Sequence, residues 1–183
     1  SVLGLAAAGS LGFVAGCLGD DTSTPDPVAL DQGQSCDNCG MEVDVHPGPV
    51  GQAYYTDERP STLPEGREDG RATFCSTWCL YKFVLETEQR GTDATILYAT
   101  DYSTVQYDLY EDQGTSVITA HVAAGDFTPT EDLTYVVDSE VEGAMGASLI
   151  GFSEESDAER FADDHGGVLT GHGDITLETI TNM

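Results

Sequence analysis

Basic residues are nearly missing from this sequence. Its 183 residues hold six Lys plus Arg against 33 Asp plus Glu, a formal net charge of −27. A nucleic-acid partner is excluded on that ground, because binding a phosphate backbone needs a basic patch. The acids are interleaved with Tyr, Val, Leu and Phe and do not form a block, and 39% of the residues are apolar. A packed core is therefore expected beneath an acidic surface. Such a surface is expected of a halophilic protein, since high salt screens the self-repulsion that the charge would otherwise cause. Enzyme signatures are missing too. There is no nucleophile elbow and no phosphate-binding glycine loop, and the acids are too numerous for any pair to stand out. The chain reads as a binding protein and not as an enzyme.

No apolar run reaches the roughly 20 residues that a membrane-spanning helix requires. The longest candidate, Ser1 to Gly16, is short and ends directly on Cys17, and Val14-Ala15-Gly16-Cys17 matches a lipobox, whose cysteine is lipidated after cleavage. Residues 1–17 are thus expected to be a lipoprotein signal, with Cys17 carrying lipid and anchoring the protein to the outer face of the cell membrane. No basic n-region precedes the apolar run in this sequence, and an uncleaved apolar anchor is the alternative. Residues 18–34 contain Pro25, Pro27, acids and small polar residues, the composition of a disordered tether. Residues 35–183 are left as the folded part.

Cysteine is scarce, and four of the five thiols fall in two close pairs. Between Cys36 and His46 the chain offers two thiols (Cys36, Cys39), a thioether (Met41), an imidazole (His46) and two carboxylates (Glu42, Asp44). Thiolate plus thioether is the donor mixture expected for Cu(I), whereas structural zinc takes thiolates and imidazoles. Gly40, without a Cβ, allows the backbone to turn sharply between Cys39 and Met41. The second pair, Cys75 and Cys79, lies where Ser76 offers an N-cap and Trp78, Leu80, Tyr81, Val84 and Leu85 approximate a helical stripe. A helix is expected from near Ser76 to Gly91, its positive end favouring thiolates. Three readings stay open for the four thiols. Cys36, Cys39 and Met41 form an open Cu(I) site; or Cys36, Cys39, Cys75 and Cys79 close around Zn2+; or the pairs oxidise to disulfides, as exported thiols do. A thiol oxidoreductase is a further alternative, but its C-x-x-C should open a helix after a strand, and here a polar tether precedes it.

Short β-rich stretches at 50–56, 71–74 and 95–100, with the first helix, spell strand, strand, helix, strand. The same order recurs at 133–137, 148–152, a helix over 153–165 capped by Ser153 or Ser156, and 168–169. Weaker strands are expected at 105–110 and 117–122, and final strand material at 175–180. The expected fold is α+β, two similar ββαβ lobes over about 36–110 and 117–180, a duplicated unit behind a signal and a flexible tether.

The string C-D-N-C-G-M followed by H-P-G-P-V-G-Q, then E-G-A-M-G-A-S-L-I-G-F at 142–152 and D-A-E-R-F-A-D-D-H-G-G at 157–167, resembles the NosL family, copper-binding lipoproteins that assist the maturation of nitrous oxide reductase in denitrification. The resemblance covers most of the chain from Cys36 to about Ile175 and implies two similar α+β lobes. It carries over Cys39 and Met41 as copper ligands with Cys36, His46 from the H-P-G string, and Met145 from the second-lobe M-G. It further implies a Cu(I) metallochaperone whose partner is nitrous oxide reductase or another exported cuproprotein. The F-C-S-T-W-C segment with Cys75 and Cys79 departs from much of the family and feeds the zinc alternative.

Overall fold

The computed structural model describes residues 24–67 and 69–183; the lipobox, Cys17 and residues 18–23 of the expected tether lie outside the described residues. The first sheet begins with the hairpin β1 (Gly51–Tyr54) and β2 (Arg71–Phe74), followed by helix α1 (Thr77–Gln89) and β3 (Ile96–Thr100). β1 is central, antiparallel to both neighbours, with Gly51 opposite Phe74 on one side and Ala99 on the other. All four residues of β1 are buried, because both faces of the sheet are covered. On one face α1 lies so close that a Cβ added to Gly51 would sit 2.8 Å from Leu80 Cδ2. On the other face, the alternating side chains Gln52 and Tyr54, with Tyr98 of β3, grip the chain that precedes the sheet.

That grip corrects the expected tether. Gln52 accepts from Val28 N–H and donates to Val28 O, at 3.1 and 2.8 Å, while the Tyr54 and Tyr98 hydroxyls donate to the carbonyls of Asp26 and Pro25. Leu30 is fully buried. From Pro25 onward the segment is thus docked on the sheet, held by polar side chains that strand composition does not announce.

The second unit repeats the first. Its strands are β7 (Thr134–Val137), β9 (Ile150–Phe152) and β10 (Val168–Gly171), with α2 (Glu155–His165) between the last two. β7 is central, flanked by β9 and β10, and every pairing is antiparallel. The correspondence β1 to β7, β2 to β9, α1 to α2 and β3 to β10 gives both sheets one topology, and the mixed α+β fold expected from the sequence is the fold observed. Four strands lie outside this scheme. β4 (Leu109–Asp112) and β5 (Thr115–Ile118) form a hairpin joined in parallel by the short β8 (Val141–Glu142), and β6 (Phe127–Pro129) crosses back to extend the first sheet beside β3.

Two local expectations are corrected. Residues 175–180 are not a strand. Thr176 caps a helix, α3 (Leu177–Asn182), by accepting from Thr179 N–H, and Trp78 Nε1 of α1 donates to Ile180 O, so that Ile175 and Ile180 bury against the first core. The helix α2 is capped neither by Ser153 nor by Ser156. Glu154 is the capping residue and makes no side-chain bond; instead Asp101 accepts from Ser153 N–H, and Ser103 Oγ accepts from Glu154 N–H. Asp101, 1% exposed, also accepts from Ser103 N–H and Thr128 Oγ1, which joins the two sheets at one carboxylate. Among the described residues no helix is long and apolar enough to cross a membrane.

Candidate metal centre

The string Cys36-Asp37-Asn38-Cys39-Gly40-Met41 folds back on itself as a tight knuckle. Gly40 N–H donates to Cys36 O at 2.8 Å, Cys36 N–H donates to Met41 O at 2.7 Å, and Gly40 takes a φ of +79°, a value that glycine adopts at little steric cost. What locates the knuckle is Asp37. Its N–H donates to Thr73 O and its carboxylate accepts from Thr73 N–H at 2.7 Å, while Arg67 forms an ion pair with it at 3.2 Å. Burial nevertheless pushes the Asp37 carboxyl up, against the opposing pull of Thr73 N–H and Arg67. These bonds fasten the knuckle to β2, and two residues beyond Thr73 comes Cys75.

The second pair arrives on α1. Ser76 is the N-cap expected from the sequence, its side chain accepting from Cys79 N–H at 3.1 Å. Cys75 precedes the cap and Cys79 stands in the first turn, so both sulfurs lie at the positive end of the helix. The result is one cluster. The sulfurs of Cys36, Cys39, Cys75 and Cys79 all lie within 4.8 Å of one another, with Cys39 and Cys75 3.4 Å apart and Cys75 and Cys79 3.9 Å apart. Cys36, Cys75 and Cys79 are buried, and Cys39 is the most exposed of the four. None is in a disulfide.

Protons are shared unevenly in the metal-free cluster. Hydrogen bonds from the Cys75 and Cys79 thiols hold Cys36 well below the ordinary thiol range. The same bonds to Cys36 drive Cys75 far up and push Cys79 up to about 12. A metal that engages these sulfurs binds their thiolates, so its binding releases protons. Asn38 Nδ2 donates to Cys79 Sγ at 3.3 Å. Asp37 and Asn38 were not singled out from the sequence, although their place inside the C-x-x-C string was the available signal.

The remaining sequence candidates are Met41, His46 and Met145. Met41 is partly buried against the first core and contributes its carbonyl to the knuckle. Among the described residues, the His, Cys, Asp and Glu side chains that converge within 4.8 Å are the four cysteines, without His46. His46 is half-buried on the loop entering β1, and Met145 is 38% exposed on a turn. Yet a Cβ on Gly143 would sit 2.6 Å from Gly48 O, so the turn carrying Met145 closes directly onto the loop carrying His46. Beside the knuckle an open cleft of about 450 Å³, walled by Cys36, Asn38, Gly40, Pro64 and Arg67, gives solvent access.

Residues 27–180 match the family model of NosL. The copper-binding lipoprotein NosL of Stutzerimonas stutzeri is 33% identical over 142 residues, which are 78% of this chain; the chain spans 62% of that relative's length. The crystal structure of the copper chaperone NosL from Shewanella denitrificans superposes with a TM-score of 0.67 at 28% identity, over 85% of this chain and 99% of that one. With residues 27–180 matching the family model and a 33% identical relative covering 78% of the chain, the chain belongs to the NosL family.

Proposed function

We propose that this protein is a lipid-anchored, extracytoplasmic metallochaperone that binds Cu(I) and delivers it to an exported cuproprotein, with nitrous oxide reductase as the acceptor. It performs no catalysis of its own; copper is cargo. The observation that carries this reading is the convergence of four sulfurs with one of them, Cys39, at the surface. Soft thiolates retain Cu(I) in preference to harder ions, and an exposed ligand gives an acceptor's own donors a place to begin exchange. Cys36 and Cys39 are the ligands from the knuckle, joined by Cys75 and Cys79 from α1, with Met41 as the adjacent thioether. His46 and Met145, on two abutting surface loops, supply soft or borderline donors along the route out.

The test is Cu(I) competition against a chromogenic chelator under reducing conditions, followed by transfer to copper-free nitrous oxide reductase. Cys39→Ser should weaken Cu(I) binding by at least about tenfold, since even loss of an outer partner of a ligand reaches that size, and Met41→Ala should weaken it less. The loaded chain should restore reductase activity faster than free Cu(I) held at the same chelator-buffered level. Equal rates would end the delivery reading, and an unchanged affinity in Cys39→Ser would end the assignment of ligands.

A further inference from the structure

Copper alone does not account for the fourth thiol. Cu(I) is satisfied by two or three sulfur donors, whereas this centre converges four, and three of them are sealed from solvent. Tetrahedral coordination with metal–sulfur bonds of about 2.3 Å places sulfurs about 3.8 Å apart. Two of the six separations, 3.4 and 3.9 Å, bracket that value, and all six lie within 4.8 Å. The ligand-bearing elements are also those of a closed structural site, with two cysteines on a knuckle, two at the start of a helix and a β-hairpin between them. Outside the centre, the polar bonds of Asp37 to Thr73 and Arg67 fasten the knuckle to β2, and Cys39 itself is exposed.

We propose that the tetrathiolate centre takes Zn2+ as a resident ion that completes the first lobe, and that incoming Cu(I) displaces it. This rests on the reading of the four cysteines as a metal centre, but zinc binding does not depend on copper being the cargo. The exchange balances without any redox step. A Zn2+ bound by four thiolates reacts with one Cu(I) and one proton; the copper keeps three thiolates, the zinc leaves as the dication, and the fourth sulfur takes the proton. Cys39, the most exposed sulfur, opens from zinc first and engages the incoming Cu(I), so it is among the three thiolates that copper keeps and the proton goes to one of the other sulfurs. Asn38 acts as a positioning residue, because its amide donates to Cys79 Sγ and so fixes one ligand.

The experiment uses the full chain, purified under reducing conditions, with metal analysis, Co2+ substitution and Cu(I) titration against a chromogenic zinc indicator. One Zn2+ per chain is expected, and Co2+ in its place should give the intense visible bands of a tetrahedral tetrathiolate. Cys79→Ser should lose zinc by more than the roughly 100-fold that loss of an outer partner reaches, and Asn38→Ala by about 10–100-fold. Cys79 is buried, so Cys79→Ser also risks unfolding; Cys39→Ser, at the surface, keeps the fold and should shift the cobalt bands toward a three-sulfur spectrum. Met41→Ala and His46→Ala should bind zinc as the parent does. Each Cu(I) added should release one Zn2+. An octahedral cobalt spectrum, or zinc binding indifferent to Cys39→Ser, would overturn the proposal. So would Cu(I) binding that releases no zinc, which would move the cargo off the thiolates. A chain that takes Cu(I) but no zinc would refute the resident ion and leave the chaperone reading standing, whereas one that holds zinc and takes no Cu(I) would refute both the displacement and the chaperone.

Discussion

Thr77 and Leu149, seventy-two residues apart, are joined through a single buried hydroxyl: Thr77 Oγ1 donates to Leu149 O at 2.7 Å and accepts from Leu149 N–H at 3.1 Å. The hydroxyl sits in the first turn of α1, between Cys75 and Cys79, and its partner residue leads into β9 of the second lobe. Thr77→Val keeps the shape and leaves both backbone groups unpaired. A buried unsatisfied group costs about 1–3 kcal/mol, so a loss of about 2–4 kcal/mol is expected in denaturant unfolding, with the metal centre loosened as well. Because it leaves all four cysteines in place, any fall in metal affinity in Thr77→Val would report coupling between the lobes.

A pH dependence follows from His172. Its Nδ1 lies 2.9 Å from the Tyr81 hydroxyl, the ring stands 5.7 Å from that of Tyr81, and burial lowers its pKa from the ordinary 6.5, with nearby Glu131 pulling the other way. The folded chain therefore binds this proton less readily than the unfolded chain. Stability from this group is intact above about pH 6.5 and is lost as pH falls from there through the lower folded value. Thermal melts from pH 7.5 to 5 should show Tm falling with acidity. His172→Gln should flatten that part of the profile, and a slope identical in both proteins would refute the assignment.

Salt should matter more than acid. With a net charge of −27, self-repulsion over distances beyond a Debye length of about 10 Å at 0.1 M is relieved as salt rises. Tm is expected to climb by several degrees from dilute to molar KCl, and a melt that does not move would count against a halophilic surface.

The proposed membrane attachment is through a lipid on Cys17. Cys17→Ser should release the protein from the membrane fraction in cell fractionation while leaving its melting curve unchanged, because a lipid chain is the strong attachment the sequence offers. Retention in the membrane fraction would refute the lipobox reading.

Much of this architecture was readable from local signals. Ser76 announced the start of α1, Arg71–Phe74 was a strand as expected, and the repeated strand, strand, helix, strand order gave the duplication. The four-sulfur centre was legible only as an alternative. Its assembly depends on Asp37 meeting Thr73 across 36 residues, a contact with no periodicity to betray it. Residues 175–180 misled because Ile175, Leu177 and Ile180 suit a strand or a helix turn equally, and Trp78 decides the matter from α1. The segment from Pro25 to Leu30 misled for the opposite reason. Its own composition is that of a linker, and the residues that order it, Gln52, Tyr54 and Tyr98, belong to strands read for their apolar neighbours.

That grip on Pro25 and Asp26 also sets a leash. Eight peptide links separate Cys17 from Pro25, a contour of at most about 28 Å. With lipid on Cys17, the sheet face formed by Gln52, Tyr54 and Tyr98 cannot stray farther than that from the bilayer. The search for an acceptor then becomes a two-dimensional one, confined to a thin layer above the membrane in which freely diffusing and surface-bound cuproproteins are not equally within reach.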